Sequence, residues 1–352
     1  MPKGSKEPMG LYLNPGNEAF RQAITDELYI DKTELISLIN RKLNKSRLKY
    51  VCLSRPRRFG KSMAADMLAA YYGKGCDSAN LFAGKKIEKE STYKTHLNRH
   101  NVIRLDIQQF IFQKFHLDIF IEKIQDAVIK ELELAFGDCF MRDAYGLPGI
   151  LRQIYAHTGK GFIFIIDEWD CVFRFAKQRQ DIQKAYLDFL RGLFKGAQYV
   201  ELAYMTGILP IKKYGEHSAL NIFDEYSMIE SKNMGKYFGF TKEEVQEQCR
   251  MQEMDYTEVE RWYDGYQLGT IHIYNPKSVA DVLTWKKFKS YWTGTETYEA
   301  LKIYIDQNFD GLKEAVIEML GNGRYKINTG KFQNDMTTFQ TKDDILTLLI
   351  HL

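Results

Sequence analysis

Five consecutive apolar residues, Phe162-Ile163-Phe164-Ile165-Ile166, run directly into two acids, Asp167-Glu168. A half-exposed strand would alternate apolar and polar side chains. An unbroken apolar run of this length reads instead as a central strand of a parallel sheet, buried on both faces. Parallel neighbours need long crossover connections, usually helices. The rest of the chain supplies both parts. Short apolar runs at Tyr50–Ser54, Asn101–Ile107, Tyr199–Thr206 and Phe223–Met228 alternate with segments of helical spacing at Lys61–Tyr72, Leu117–Phe136, Leu147–His157 and Ala176–Phe194. Residues 17–43 read as one or two short helices. The pattern predicts an α/β fold with a mostly parallel five-stranded core sheet and right-handed connections.

Beyond Glu230 the pattern changes. Helical segments dominate at Thr241–Met251, Asp255–Tyr263, Pro276–Trp285 and Glu296–Asn308. Asn275-Pro276 reads as a helix start, with asparagine as cap and proline at the first helical position. The expected division is a core over 17–230, a helical lid subdomain over 231–340, and the start of a winged-helix-like unit over 341–352.

Between the first strand and the helix at Lys61 lies Arg55-Pro56-Arg57-Arg58-Phe59-Gly60-Lys61-Ser62. A phosphate-binding loop has a glycine, four residues, then Gly-Lys-Ser/Thr. Here Gly60-Lys61-Ser62 is intact and Arg55 replaces the first glycine. The chemistry explains the pattern: loop N–H groups and the helix N-terminus face the phosphates, and the helix dipole favours their charge. The segment predicts nucleotide-binding residues Arg55, Pro56, Arg57, Arg58, Phe59, Gly60, Lys61, Ser62 and Met63. Lys61 is expected at the β- and γ-phosphates and the Ser62 hydroxyl on Mg2+. Arg57 and Arg58 either hold phosphates or are solvated. An ordinary surface turn would not explain the apolar strand before it. Together these features predict a three-layer P-loop NTPase core.

A buried parallel strand delivers its last residues to the sheet edge where open α/β proteins bind ligands. Asp167 is thereby placed to hold Mg2+, and Glu168 to orient or deprotonate the attacking water. Asp170 reads as structural. Thr206, ending another strand, is either a γ-phosphate sensor or a turn residue. Catalytic roles are therefore expected of Glu168, Lys61 and Thr206, with Ser62 and Asp167 as metal ligands.

Bulk properties exclude several classes. At 45% hydrophobic and 27% charged the chain is globular, and a formal net charge of +3 gives no global argument for nucleic acid. The lysines of Lys42–Lys49 and Lys286–Lys289 read as solvated helix faces. Cys52, Cys76, Cys139, Cys171 and Cys249 lack paired spacing and read as free, mostly buried thiols of a reducing compartment. The seven histidines show no metal spacing. Met1–Gly16 has no apolar run like a signal peptide, and no stretch approaches a membrane span. The expectation is a cytoplasmic protein.

These residues together resemble the predicted AAA-ATPase-like family found widely in gut bacteria and other anaerobes. The collinear stretches are Tyr29–Glu34, Arg55–Ser62, Asp77-Ser78 with Leu81-Phe82, Ile165–Glu168, Thr206–Leu209 and Ser218–Asn221. They continue through Phe238–Thr241, Trp262–Tyr266, Tyr274–Val279 and Tyr291-Trp292. The resemblance implies a P-loop NTPase with a catalytic glutamate, and accounts for Arg55 as a family trait. Many such proteins continue into a nuclease-like domain of the PD-(D/E)XK type, and this chain stops within an apolar segment, Ile345–Leu352, as a truncated member would. Two departures matter. Pro210 stands where the family often has arginine, with Lys212 or Lys213 as substitutes, and Ser218-Ala219-Leu220-Asn221 replaces Ser-Gly-Leu-Asn.

Trp262–Tyr266 has two readings: a lid packing near the base or against the core, or a helix end with Gly265 as left-handed cap. The latter is favoured. The functional expectation is an ATP-binding, slowly hydrolysing AAA-like ATPase acting as a molecular switch with ATP and Mg2+. The alternative is a nucleotide-dependent interaction module with little hydrolysis, associated with DNA or defence assemblies. Its protein partner is not named by the sequence, and a membrane partner is not expected.

Overall fold

The apolar run is the third strand of a five-stranded parallel sheet. In a computed structural model describing residues 10–112, 117–137, 146–211, 220–291, 304–321, 323–332 and 339–352, the strands are β1 (Tyr50–Ser54), β2 (Asn101–Asp106), β3 (Phe162–Asp167), β4 (Val200–Gly207) and β5 (Asp224–Tyr226). Their order is β2-β3-β4-β1-β5. Every residue of β1 and β3 is buried, as a continuous apolar run requires. β4 lies between β1 and β3. The β2 edge is covered by the N-terminal segment, where Asn14 N–H donates to Val102 O at 2.7 Å and Arg104 N–H to Tyr12 O at 2.8 Å.

Helices fill the crossovers: α1 (Lys61–Tyr72), α2 (Phe120–Phe136), α3 (Gly146–Thr158), α4 (Cys171–Phe175) and α5 (Gln180–Phe194). On α2 the buried residues Phe120, Ile124, Val128 and Leu132 recur every fourth position, so one face meets the core. The helix expected over Ala176–Phe194 starts later, because Ala176 closes α4 with its N–H on Val172 O. The lysine stretch Lys42–Lys49 is not simply a solvated face. Lys42 is buried and donates to the Tyr226 hydroxyl at 2.6 Å, and Lys49 donates to Val200 O at 2.7 Å.

The chain forms two compact units. One is Met1–Leu53, Lys61–Gly207 and Lys213–Tyr226; the other is Ser54–Gly60, Ile208–Lys212 and Ser227–Leu352. The second unit contains α6 (Lys242–Met251), α7 (Tyr256–Tyr263), α8 (Pro276–Trp285), α9 (Leu312–Leu320) and α10 (Lys342–His351). Caps fix their starts. Thr241 and Glu244 form a reciprocal capping box, and Asn275 Oδ1 accepts from Lys277 N at 3.0 Å and Ser278 N at 3.3 Å. The apolar residues Ile345 and Leu348 of α10 are buried inside this unit.

Helices alone do not build the second unit. A small antiparallel sheet of β6 (Phe240–Thr241), β7 (Asp264–Leu268) and β8 (Ile271–Tyr274) runs in the order β6-β8-β7. Gly265 is therefore a strand residue and not a left-handed helix cap; α7 ends as Asp264 turns extended, at φ −70° and ψ 114°. The positive φ falls instead on Gly269, in the two-residue turn joining β7 to β8. Lys287–Ser290 lies beyond the end of α8, so Lys286–Lys289 is not a helix face either. The expected helix over Glu296–Asn308 falls mostly outside the described residues, as do Cys139, Lys212, Lys213, Ser218, Ala219 and Trp292. The remaining cysteines form no disulfide, and no described helix is long and apolar enough to cross a membrane.

Among the described glycines of this unit, Gly239 has least room. Its φ is +86°, and an added Cβ would lie 2.2 Å from Ile273 Cγ2. Gly269, at φ +65°, faces nothing within 4 Å. We expect Gly239→Ala to destabilise the chain by more than about 2 kcal/mol in urea titrations, and Gly269→Ala by about 1 kcal/mol from backbone strain alone. Equal losses would contradict the steric account.

Candidate nucleotide site

In-register pairing sets Asp106 of β2 opposite Asp167 of β3, and Ile166 opposite Met205 of β4. The next residue on β4, Thr206, therefore stands beside Asp167. Its hydroxyl donates to Asp167 Oδ1 at 2.6 Å, and the Glu168 N–H donates to the same oxygen at 3.0 Å. Two donors fix a carboxylate that is almost wholly buried. The turn is fixed as well: Trp169 N–H donates to Thr206 O at 3.0 Å. Glu168 occupies the left-handed region, φ 52°, a conformation non-glycine residues adopt at some cost.

Lys61, the first residue of α1, brings its Nζ to 4.0 Å from Glu168 Oε1. Its side chain is buried, and burial pushes its pKa down, while the Glu168 and Asp167 carboxylates pull it back up. Burial likewise raises the Glu168 pKa, against the pull of Lys61. Arg174, on α4, is the second cation. It forms an ion pair with Glu168 Oε2, and its Nε lies 3.3 Å from Asp170 Oδ2. Asp170 is thus the partner of Arg174, in keeping with a structural role. Three carboxylates face two cations here, an excess of negative charge that suits an arriving divalent ion.

A second ring of charge surrounds this centre. Arg104 Nη2 is 2.5 Å from Asp66 Oδ1. Burial pushes the Asp66 carboxyl up to about 6, although the Arg104 guanidinium pulls it down. Asp106 is also raised, first by burial and then by Asp167. Sequence reading missed Asp66, Arg104, Asp106 and Arg174. Asp106 left a signal, since Asn101–Asp106 ends in aspartate as Phe162–Asp167 does.

The loop before Lys61, Ser54–Gly60, belongs to the second unit. Phe59 is 1% exposed and sits in an apolar cluster with Met228, Leu268 and Ile273. Tyr266 meets it edge-to-face at 5.2 Å between ring centroids, and Gly239 N–H donates to Phe59 O at 3.2 Å. Arg55 is fully buried; Nη1 donates to Ser54 O at 2.8 Å, and the guanidinium lies 5.7 Å from the Phe238 ring centroid. Pro56 is buried, Arg57 half-buried, and Arg58 and Gly60 exposed with φ of 69° and 84°. Ser62 and Met63 are exposed on the first turn of α1. Of the predicted site residues, Lys61, Asp167, Glu168 and Thr206 come together within the first unit. Arg55 and Phe59 point into the second unit's packing.

A parallel sheet with a glycine-lysine-serine helix start and carboxylates at its strand ends defines the P-loop class of nucleotide-binding folds. The chain belongs to the family described as "Predicted AAA-ATPase", whose model matches residues 15–215. It is also similar to a protein of Azotobacter chroococcum mcd 1 described as "Uncharacterized protein in vnfD 5'region", at 26% identity over 283 residues. That alignment covers 78% of this chain and 52% of the relative, so the chain spans about half the relative's length.

Asp66 gives the site a pH signature. In the folded chain it keeps its proton to about pH 6, whereas the unfolded carboxyl releases it near 3.8. The raised pKa favours folding at low pH, and this contribution is lost as pH rises from about 4 to 6, by at most about 3 kcal/mol. Urea titrations at pH 4 and pH 6.5 should therefore show a smaller pH difference for Asp66→Asn than for the parent. An unchanged difference would contradict the assignment.

Proposed function

We propose that the chain is an ATP-binding, slowly hydrolysing AAA-like ATPase that acts as a molecular switch. One observation carries this reading: buried Lys61 stands 4.0 Å from Glu168, beside an Asp167 whose carboxylate is fixed by Thr206. The donor chemistry fits Mg2+. The Ser62 hydroxyl and the Asp167 carboxylate are hard oxygen ligands, and Mg2+ characteristically takes one or two protein oxygens together with phosphate and water. Bound there, Mg2+ would neutralise phosphate charge.

The chain's own groups supply the rest. Lys61 and the backbone N–H groups up to Ser62 stabilise the phosphates. Glu168 orients water and accepts its proton, a role that the upward-shifted pKa of a buried carboxyl serves. Thr206 holds Asp167 and is the candidate γ-phosphate sensor. The switch part of the reading rests on Phe59 and Arg55. Both are loop residues whose side chains are built into the second unit, so a nucleotide that moves the loop acts on that unit's packing.

Two observations favour the second reading, a nucleotide-dependent interaction module that hardly hydrolyses. Arg174 already holds Glu168, and Pro210 stands where an arginine is expected. Single-turnover assays with radiolabelled ATP separate the two. For an ATPase, Glu168→Gln should retain binding and lose about 100-fold or more in rate. Lys61→Ala should bind ATP at least about tenfold more weakly. If Arg174 restrains the glutamate, Arg174→Gln should speed turnover. Equal rates for the parent and Glu168→Gln would remove the catalytic role.

A further inference from the structure

The second unit carries a surface that the nucleotide site does not use. Trp262 and Tyr263 end α7, and the segment Lys287–Tyr291 follows α8. Their rings form a row. Phe288 lies 6.2 Å from Trp262 and 6.4 Å from Tyr263, and Tyr291 lies 6.2 Å from Tyr263, with interplanar angles of only 32°, 16° and 38°. The Tyr263–Phe288 pair is near-parallel and the other two are tilted, and at 6.2–6.4 Å between centroids none is in close face-to-face contact. Trp262 is 48% exposed.

The segment is held in place. The Tyr263 hydroxyl donates to Lys289 O at 2.9 Å and accepts from Lys289 N at 3.2 Å, and the Tyr291 hydroxyl donates to Lys287 O at 2.7 Å. The ammonium groups of Lys287 and Lys289 pair with no carboxylate among the described residues, and Lys289 lies 4.9 Å from the Tyr291 ring centroid. Asp281, the acid whose charge reaches Tyr263 and Tyr291, is already engaged by Lys277, 2.6 Å from Oδ2.

We propose that this surface binds single-stranded nucleic acid, with bases stacking on Trp262 and its neighbouring rings and phosphates meeting Lys287 and Lys289. Aromatic rings interleaved with cations that pair with no described carboxylate match the stacking and charge of a single strand; the paired bases of a duplex offer no free faces to stack on. Charge is what selects this occupant over an apolar peptide, which would leave both ammonium groups unmatched. The proposal does not rest on ATP hydrolysis.

Fluorescence anisotropy of the full chain without nucleotide tests it. The probes are a labelled oligothymidine of about 20 nucleotides and a duplex of equal length. The single strand should bind at least about tenfold more tightly than the duplex at low salt. Trp262→Ala should weaken it about fivefold or more, and Lys287→Gln with Lys289→Gln should reduce the salt slope by about 1.4. Unchanged thermal melting confirms that these exposed substitutions leave the fold intact. No single-strand binding, equal affinity for duplex, or Trp262→Ala binding as well as the parent would each overturn the proposal.

Discussion

Burial of Phe162–Ile166 between helical layers is the constraint on which the site depends. A strand without solvent-facing positions must pair on both edges, and here it pairs in parallel with β2 and β4. Pairing in parallel sends all three strands out at the same edge. At that edge each strand carries a polar residue at or next to its end: Asp106, Asp167 and Thr206. The Thr206–Asp167 hydrogen bond then fixes a buried carboxylate that would otherwise be costly to desolvate. Lys61 is drawn to the same edge because α1 follows β1, and the excess of carboxylates compensates its buried charge.

The loop obeys a different constraint. In a standard phosphate loop the first glycine leaves room and takes unusual backbone angles. Here the position belongs to Arg55, a large side chain fully buried beside Phe238, while Phe59 fills an apolar cluster. Both side chains turn away from solvent and into the second unit. The substitution thus reads as a structural tether. The left-handed residues that remain, Arg58 and Gly60, are the exposed ones.

Much of this was legible in the sequence. The boundaries of β1 and α1 followed from a short apolar run and helical spacing separated by a glycine and a proline. Asp167 and Glu168 announced themselves by ending an apolar run. What escaped were contacts set by tertiary packing. No local pattern pairs Asp66 with Arg104, or turns Arg174 back onto Glu168 six residues earlier. The small sheet was missed for another reason. Trp262–Tyr266 invited a helix-capping reading of Gly265, and the stronger signal lay downstream, where Leu268-Gly269-Thr270-Ile271 has a glycine suited to a two-residue hairpin turn. Lys42 and Lys49 misled because charge suggests solvent, whereas both stems run inward to hydrogen-bond acceptors.

Membership in a predicted AAA-ATPase family and a cluster of lysine, carboxylates and threonine at the strand ends both support the proposal that the chain binds a nucleoside triphosphate with a metal ion. Calorimetric titration with a non-hydrolysable ATP analogue tests that claim most directly, because it reads binding apart from turnover. Saturable one-to-one binding is expected in millimolar Mg2+, weakened at least about tenfold when EDTA removes the ion. Absence of heat at millimolar analogue, or binding indifferent to EDTA, would contradict it.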